Sequence, residues 1–89
     1  MIKTTATISN KLGLHARASA KLTKLAGSFK CDVHMSRGDR RINAKSIMGV
    51  MMLAAGVGSD VVVETEGPDE QSAADAIVAL INDKFGEGQ

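Results

Sequence analysis

Residues Met1 to Ile8 alternate. Ile2, Thr4, Ala6 and Ile8 fall on one side and Lys3, Thr5 and Thr7 on the other, the period of two that marks a half-buried strand. Asn10 to Leu14 breaks this alternation and reads as a loop. From Ala16 to Ala26 the period becomes helical: Ala18, Leu22, Leu25 and Ala26 share one face, with Phe29 beyond and Gly27 placed as a C′ stop. Alternation returns with Cys31, Val33 and Met35 on the inward side and Lys30, Asp32 and His34 on the outer one. Ser36-Arg37-Gly38-Asp39 reads as a turn. Arg40 to Asn43, with Ile42 inward, comes back as a short strand, so the two make a hairpin.

Ser46 is a favourable N-cap, and the helix it opens is predicted to run to Ala55 and close at Gly56. Gly58-Ser59-Asp60 is a turn. Val61 to Glu66 is a β-branched strand, with Val61, Val63 and Thr65 on one side. Gly67-Pro68-Asp69-Glu70 starts a last helix, with Asp69 as its expected cap and acidic residues in the first turn. Ala73, Ile77, Leu80, Ile81 and Lys84 lie on one side of it. Gly86 to Gln89 is expected to fray.

The order is therefore β-α-β-β-α-β-α, an α+β chain. Its simplest packing is a four-stranded sheet with three helices on one face and water on the other. The length, 89 residues, and the absence of a repeat or linker predict one domain over residues 1–89.

The second helix departs from its neighbours. Ile47 to Ala55 carries no polar side chain. A helix in a two-layer domain buries only part of its circumference. Ile47, Val50, Leu53 and Ala54 form one stripe at helical spacing, expected to face the core. Met48, Met51 and Met52 then form a second stripe that looks outward. With Ile47 at its border, this stripe is a candidate partner-binding surface, because an exposed apolar patch marks docking and methionine adapts to several partners. Deep burial of the whole helix is the competing explanation. Gly49 inside this helix costs about 1 kcal/mol relative to alanine, which a close approach of another backbone would explain.

Composition narrows the function. The net charge is +1, with 11 basic and 10 acidic residues, so no electrostatic footprint for nucleic acid exists. Two Phe and no Tyr or Trp leave no platform for base stacking. A single cysteine, Cys31, is expected in the core. It suits a reducing compartment and is too few for a soft-metal site. No stretch approaches the ~20 apolar residues of a membrane span, and the start is not a signal peptide. A cytoplasmic address, no cofactor and no metal are the resulting expectations. His34 is expected to be a solvated strand residue.

His15 carries the candidate chemistry. It follows the glycine loop and precedes a helix, in Gly13-Leu14-His15-Ala16-Arg17. A helix start offers unpaired N–H groups and the positive end of the dipole. Both discourage a proton on the ring and leave a nitrogen free as a nucleophile. The same N–H groups would hold phosphate oxygens, and Arg17 offers a bidentate guanidinium. A phosphoryl-accepting histidine fits these residues, and so does a plain capping histidine.

A second segment, about thirty residues on, bears on that choice: Asn43-Ala44-Lys45-Ser46-Ile47-Met48-Gly49-Val50-Met51. Together the two segments, over the whole chain, resemble the histidine-containing phosphocarrier (HPr) family of the bacterial sugar phosphotransferase system. The resemblance implies an open-faced β-sandwich with an antiparallel sheet in the order 1-4-2-3. It implies that His15 accepts a phosphoryl group at Nδ1 from enzyme I, that Arg17 steadies it, and that it passes to the A domains of sugar-specific enzymes II. It also implies that Ser46 is a regulatory site for a dedicated kinase (HPr kinase/phosphorylase). Such a protein is a transiently phosphorylated carrier rather than a self-standing catalyst, and a monomer is expected, since a self-interface would cover the working face. A regulatory or nitrogen-branch phosphocarrier is the alternative. The chain departs from the family at Ala18, where proline is usual. Alanine also suits a first helical turn. Two further roles stay open: whether the Ser19 hydroxyl or Lys45 lies near incoming phosphate.

Overall fold

The computed structural model describes residues 1–88. Its elements are β1 (Ile2–Thr7), α1 (Ala16–Gly27), β2 (Asp32–Arg37), β3 (Arg40–Asn43), α2 (Ile47–Met52), β4 (Asp60–Glu66) and α3 (Glu70–Asn82), followed by one 3₁₀ turn, Lys84–Gly86. The sheet order is β1-β4-β2-β3 and every pairing is antiparallel. This is the expected α+β architecture.

Register follows from the side-chain period of two. Thr4 faces Val63, Ala6 faces Val61, and Val63 in turn faces Met35. One sheet face thus collects Ala6, Val33, Met35, Val61, Val63 and Thr65, all buried. Against it pack Ala18, Leu22 and Ala26 of α1, Val50 of α2, and Ala73, Ile77 and Ile81 of α3. The other sheet face carries Lys3, Thr5, Asp32, His34 and Glu66, exposed or half-buried. There Glu64 is covered by Arg41, whose guanidinium lies 2.9 Å from its carboxylate. Cys31 is in the core. The β2–β3 hairpin turns on Gly38-Asp39, with positive φ at Gly38 alone, as a two-residue turn with glycine first requires.

Several local expectations are corrected. Gly27 is the last residue of α1 and not a left-handed C′. The helix is closed by Ser28, whose hydroxyl donates to the Leu25 carbonyl at 2.6 Å. Asp69 occupies the N-cap position of α3 but makes no side-chain cap bond. Its carboxylate instead accepts the Lys30 and Cys31 N–H groups at 2.9 and 2.8 Å, tying the α1–β2 connection to the start of α3. Those two bonds, that to Lys30 foremost, hold the Asp69 carboxyl below its ordinary value. Lys84 lies outside α3.

α2 is six residues long and stops three residues before Ala55. Its last turn tightens, with Leu53 N–H donating to Val50 O at 3.2 Å and Ala54 N–H to Met51 O at 3.1 Å, three residues back. The free carbonyls beyond are capped from outside: Arg40 Nη1 donates to Met52 O at 2.5 Å and Arg37 Nη1 to Leu53 O at 3.1 Å. Ala54 then adopts φ 52°. The core stripe is accordingly Val50, Leu53 and Ala55, while Ile47 and Ala54 face outward. Gly49 meets a neighbouring backbone, as the close-approach explanation requires. A Cβ there would lie 3.1 Å from the Asn43 carbonyl oxygen.

The tail does not fray as far as it is described; Gln89 lies outside the described residues. Phe85 is fully buried, and Lys21 Nζ donates to its carbonyl at 2.6 Å. One aromatic anchor therefore folds the chain end back onto α1.

Candidate functional site

The loop before α1 is built on Asn10. Its Nδ2 donates to Gly13 O at 2.8 Å, and Gly13 N–H donates to Asn10 O at 3.2 Å. Gly13 takes φ +65°, with the Ala55 carbonyl so close that a Cβ would sit 2.6 Å from its oxygen. Leu14 N–H donates to that same oxygen at 2.9 Å. Leu14 is buried beneath the loop. The loop is thus clamped between α1 and the segment after α2, and His15 is held at its end.

His15 is the N-cap residue of α1, with an extended backbone (φ −74°, ψ 178°) and no side-chain cap bond. Its carbonyl accepts the first helical bond, from Ser19 N–H at 2.9 Å. The N–H groups of Ala16, Arg17 and Ala18 have no acceptor among the described residues, and the first turn holds no acidic residue. A helix start with unclaimed N–H groups is thus present where the sequence places it. Arg17 is exposed and lines the same open groove as His15, with Lys11, Lys21 and Glu87.

Sequence reasoning missed the groove's carboxylate. Glu87 Oε2 contacts His15 Nε2, and Glu87 Oε1 accepts from Asn10 Nδ2 at 3.0 Å. The two side chains are 27% and 14% exposed, so solvent still reaches the imidazole. The Asn10 amide, then the His15 ring, hold the Glu87 carboxyl below its ordinary value; partial burial opposes them, and the nearby Lys21 charge adds to them. An ionised carboxylate only accepts, so with Glu87 ionised the Nε2 end of the ring is the donor, and Nδ1 has no such partner among the described residues. Ser19 is not available to a phosphate. It is buried, and its hydroxyl donates to Leu14 O at 3.1 Å. Lys45 is likewise engaged elsewhere, donating to Phe29 O at 2.8 Å.

Ser46 is exposed and caps α2, its hydroxyl accepting from Gly49 N–H at 3.2 Å. Deep burial of α2 is ruled out: Met48 is 66% exposed, Met52 62%, and Ile47 and Met51 40% each. Leu12, in the His15 loop, also projects outward. An apolar face and the histidine groove are therefore connected through the Leu14–Ala55 bond. Ser46 stands at the N-terminal end of α2, opposite the end joined to the groove, and the helix spans roughly 9 Å by its rise.

A family model described as "PTS HPr component phosphorylation site" matches residues 2–83. The phosphocarrier protein HPr of Cupriavidus necator is 66% identical over 89 residues, the whole of both chains. The phosphocarrier protein NPr of Shewanella violacea is 43% identical over 81 residues, 91% of this chain and 89% of its own. Among solved structures, HPr-C-His from Thermoanaerobacter tengcongensis superposes with a TM-score of 0.94 at 42% identity, covering 98% of each chain. An HPr dimer from that organism matches with a TM-score of 0.79 at the same identity, over 98% of this chain and 100% of its own.

Proposed function

This chain belongs to the HPr family of phosphotransferase-system phosphocarriers, and from that premise we propose that His15 Nδ1 takes a phosphoryl group from enzyme I and passes it to the A domains of sugar-specific enzymes II. One observation carries the reading. The imidazole sits at a helix start whose N–H groups are unclaimed, with Nε2 engaged and Arg17 beside it in one groove. The N–H groups and the guanidinium receive the phosphate oxygens. Stabilisation must stay modest, because a carrier that trapped the group would not release it. The helix terminus contributes on the order of 0.3–1 kcal/mol for each charge. The rest of the rate comes from positioning by the partner.

The partner docks on Ile47, Met48, Met51 and Met52, an exposed apolar face beside the groove. Ser46 borders that face, and phosphorylation by an HPr kinase/phosphorylase would place roughly −1.5 to −2 charges there. That charge repels and desolvates an approaching enzyme I surface. The working form is a monomer in the cytoplasm, needing no cofactor or metal. No helix among the described residues is long and apolar enough to cross a membrane.

The test is His15→Ala. It should keep its circular dichroism spectrum and lose acceptance of labelled phosphoryl from enzyme I. Normal labelling of the variant would refute the assignment. The similarity to an NPr chain supports a second reading, a nitrogen-branch carrier. Transfer from the phosphorylated protein to a nitrogen-branch A domain, and not to a sugar-specific one, would select it.

A further inference from the structure

We propose that Glu87 is a positioning residue for phosphoryl transfer: it accepts the Nε2–H of His15, selects the tautomer that leaves the Nδ1 lone pair free, and faces the ring's positive charge once the phosphoryl group is on. The proposal rests on the reading that His15 is the acceptor at Nδ1. Glu87 lies beyond residues 2–83, the part that matches the family model.

Four features preorganise the carboxylate. Buried Phe85 anchors the chain end in the core. Lys21 Nζ fixes the Phe85 carbonyl at 2.6 Å. Asn10, itself buried, donates to Glu87 Oε1 at 3.0 Å and leaves Oε2 for the ring. The tail backbone closes through Gly86 N–H to Asp83 O at 3.0 Å and Glu87 N–H to Lys84 O at 2.9 Å. The carboxylate is therefore held before any partner arrives, so little side-chain entropy is lost on reaction.

The step balances without moving a proton. The Nδ1 lone pair attacks the phosphorus of the donor's phosphohistidine. The new N–P bond forms as the donor's N–P bond breaks, and that electron pair returns to the donor imidazole. His15 keeps its proton on Nε2 and becomes an imidazolium, and Glu87 lies against that charge. In the reverse step toward the next acceptor the same contact is retained. The carboxylate also repels the phosphoryl dianion. Lys11, Arg17 and Lys21, which line the groove, oppose that repulsion. The net effect is a ring held in one tautomer and one orientation, which is the role a carboxylate plays behind a reacting histidine in hydrolytic triads.

The experiment compares wild type, Glu87→Gln and Glu87→Ala as full chains. Ring ¹⁵N shifts, measured where the imidazole is neutral, should show one Nε2–H tautomer in the wild type and a mixture in Glu87→Ala. Glu87→Gln retains an acceptor without the charge, so it should keep most of the tautomer. Acceptance from enzyme I should fall about tenfold in kcat for Glu87→Ala, the loss of one charge-assisted bond, with KM nearly unchanged; Glu87→Gln should lie between. A wild-type tautomer and rate in Glu87→Ala would overturn the proposal, as would faster acceptance, which would make Glu87 an obstacle. The tautomer is read without enzyme I, so it is independent of the carrier reading. That reading fails separately if His15→Ala still accepts label.

Discussion

Replacing Gly13 with alanine tests how the loop positions His15. Gly13 holds φ +65°, and an added Cβ would stand 2.6 Å from the Ala55 oxygen and 2.8 Å from the Gly56 Cα. Both obstacles are backbone, so the loop must withdraw by several tenths of an ångström. The left-handed conformation costs alanine about 1–2 kcal/mol. Withdrawal also weakens the 2.9 Å bond from Leu14 N–H to Ala55 O, worth roughly 0.5–1.5 kcal/mol. Together these predict a loss of about 1.5–3.5 kcal/mol, or roughly 6–28 °C in Tm for a domain of this size. The chain has no Tyr or Trp, so unfolding is best followed by far-ultraviolet circular dichroism. Phosphoryl acceptance, measured at a temperature where the variant is folded, should slow by tenfold or more, since a displacement near 1 Å costs about a hundredfold. A Tm within about 3 °C of wild type would refute the clash argument, since even the smallest sum, about 1.5 kcal/mol, shifts Tm by about 6 °C. A destabilised variant with an unchanged rate would refute the link from loop to imidazole.

Three other outcomes are expected. Met48→Glu should weaken enzyme I binding and change stability by less than about 0.5 kcal/mol, because the side chain is largely exposed; equal binding in a titration would remove Met48 from the docking face. Ser46→Asp keeps an N-cap oxygen, so Tm should equal or exceed that of wild type while acceptance at His15 slows. Unchanged kinetics in both that variant and the phosphorylated protein would leave Ser46 a cap alone. Acid should destabilise the fold through Asp69, Glu70 and Glu87, all held below their ordinary carboxyl values, 3.8 for Asp69 and 4.5 for the two glutamates. Folded values below the unfolded ones mean stabilisation that is complete above those ordinary values and is lost as pH falls through the lowered ones. The curve of Tm against pH should therefore drop below about pH 4.5, and less steeply in Glu87→Gln. Parallel curves for variant and wild type would exclude Glu87 from this linkage.

What could be read in advance was local. The alternation in Met1–Ile8 and Val61–Glu66 defined strands and their inward faces because a one-residue slip would bury Lys3 or expose Val63. His15 was legible because its loop, the helix start and Arg17 are contiguous. The methionine stripe was legible because an all-apolar helix cannot bury every side in two layers. Asp69 shows where local reasoning stops. Its position suits a cap, but folding brings Lys30 and Cys31 N–H groups to it, and two backbone donors from another connection outcompete one in its own helix.

The sequence by itself determined the order of elements, the core faces and the candidate nucleophile, since each depends on periodicity or on residues a few positions apart. Only the tertiary structure showed where α2 ends, in a last turn tightened to three-residue bonds whose free carbonyls Arg37 and Arg40 cap from the β-hairpin. Only it decided that the chain end docks and that Glu87, 72 residues from His15, meets the ring. No local pattern encodes such a pair. It arises when Phe85 is buried and α1 and the tail are brought side by side, and the energy that places Glu87 comes from that burial.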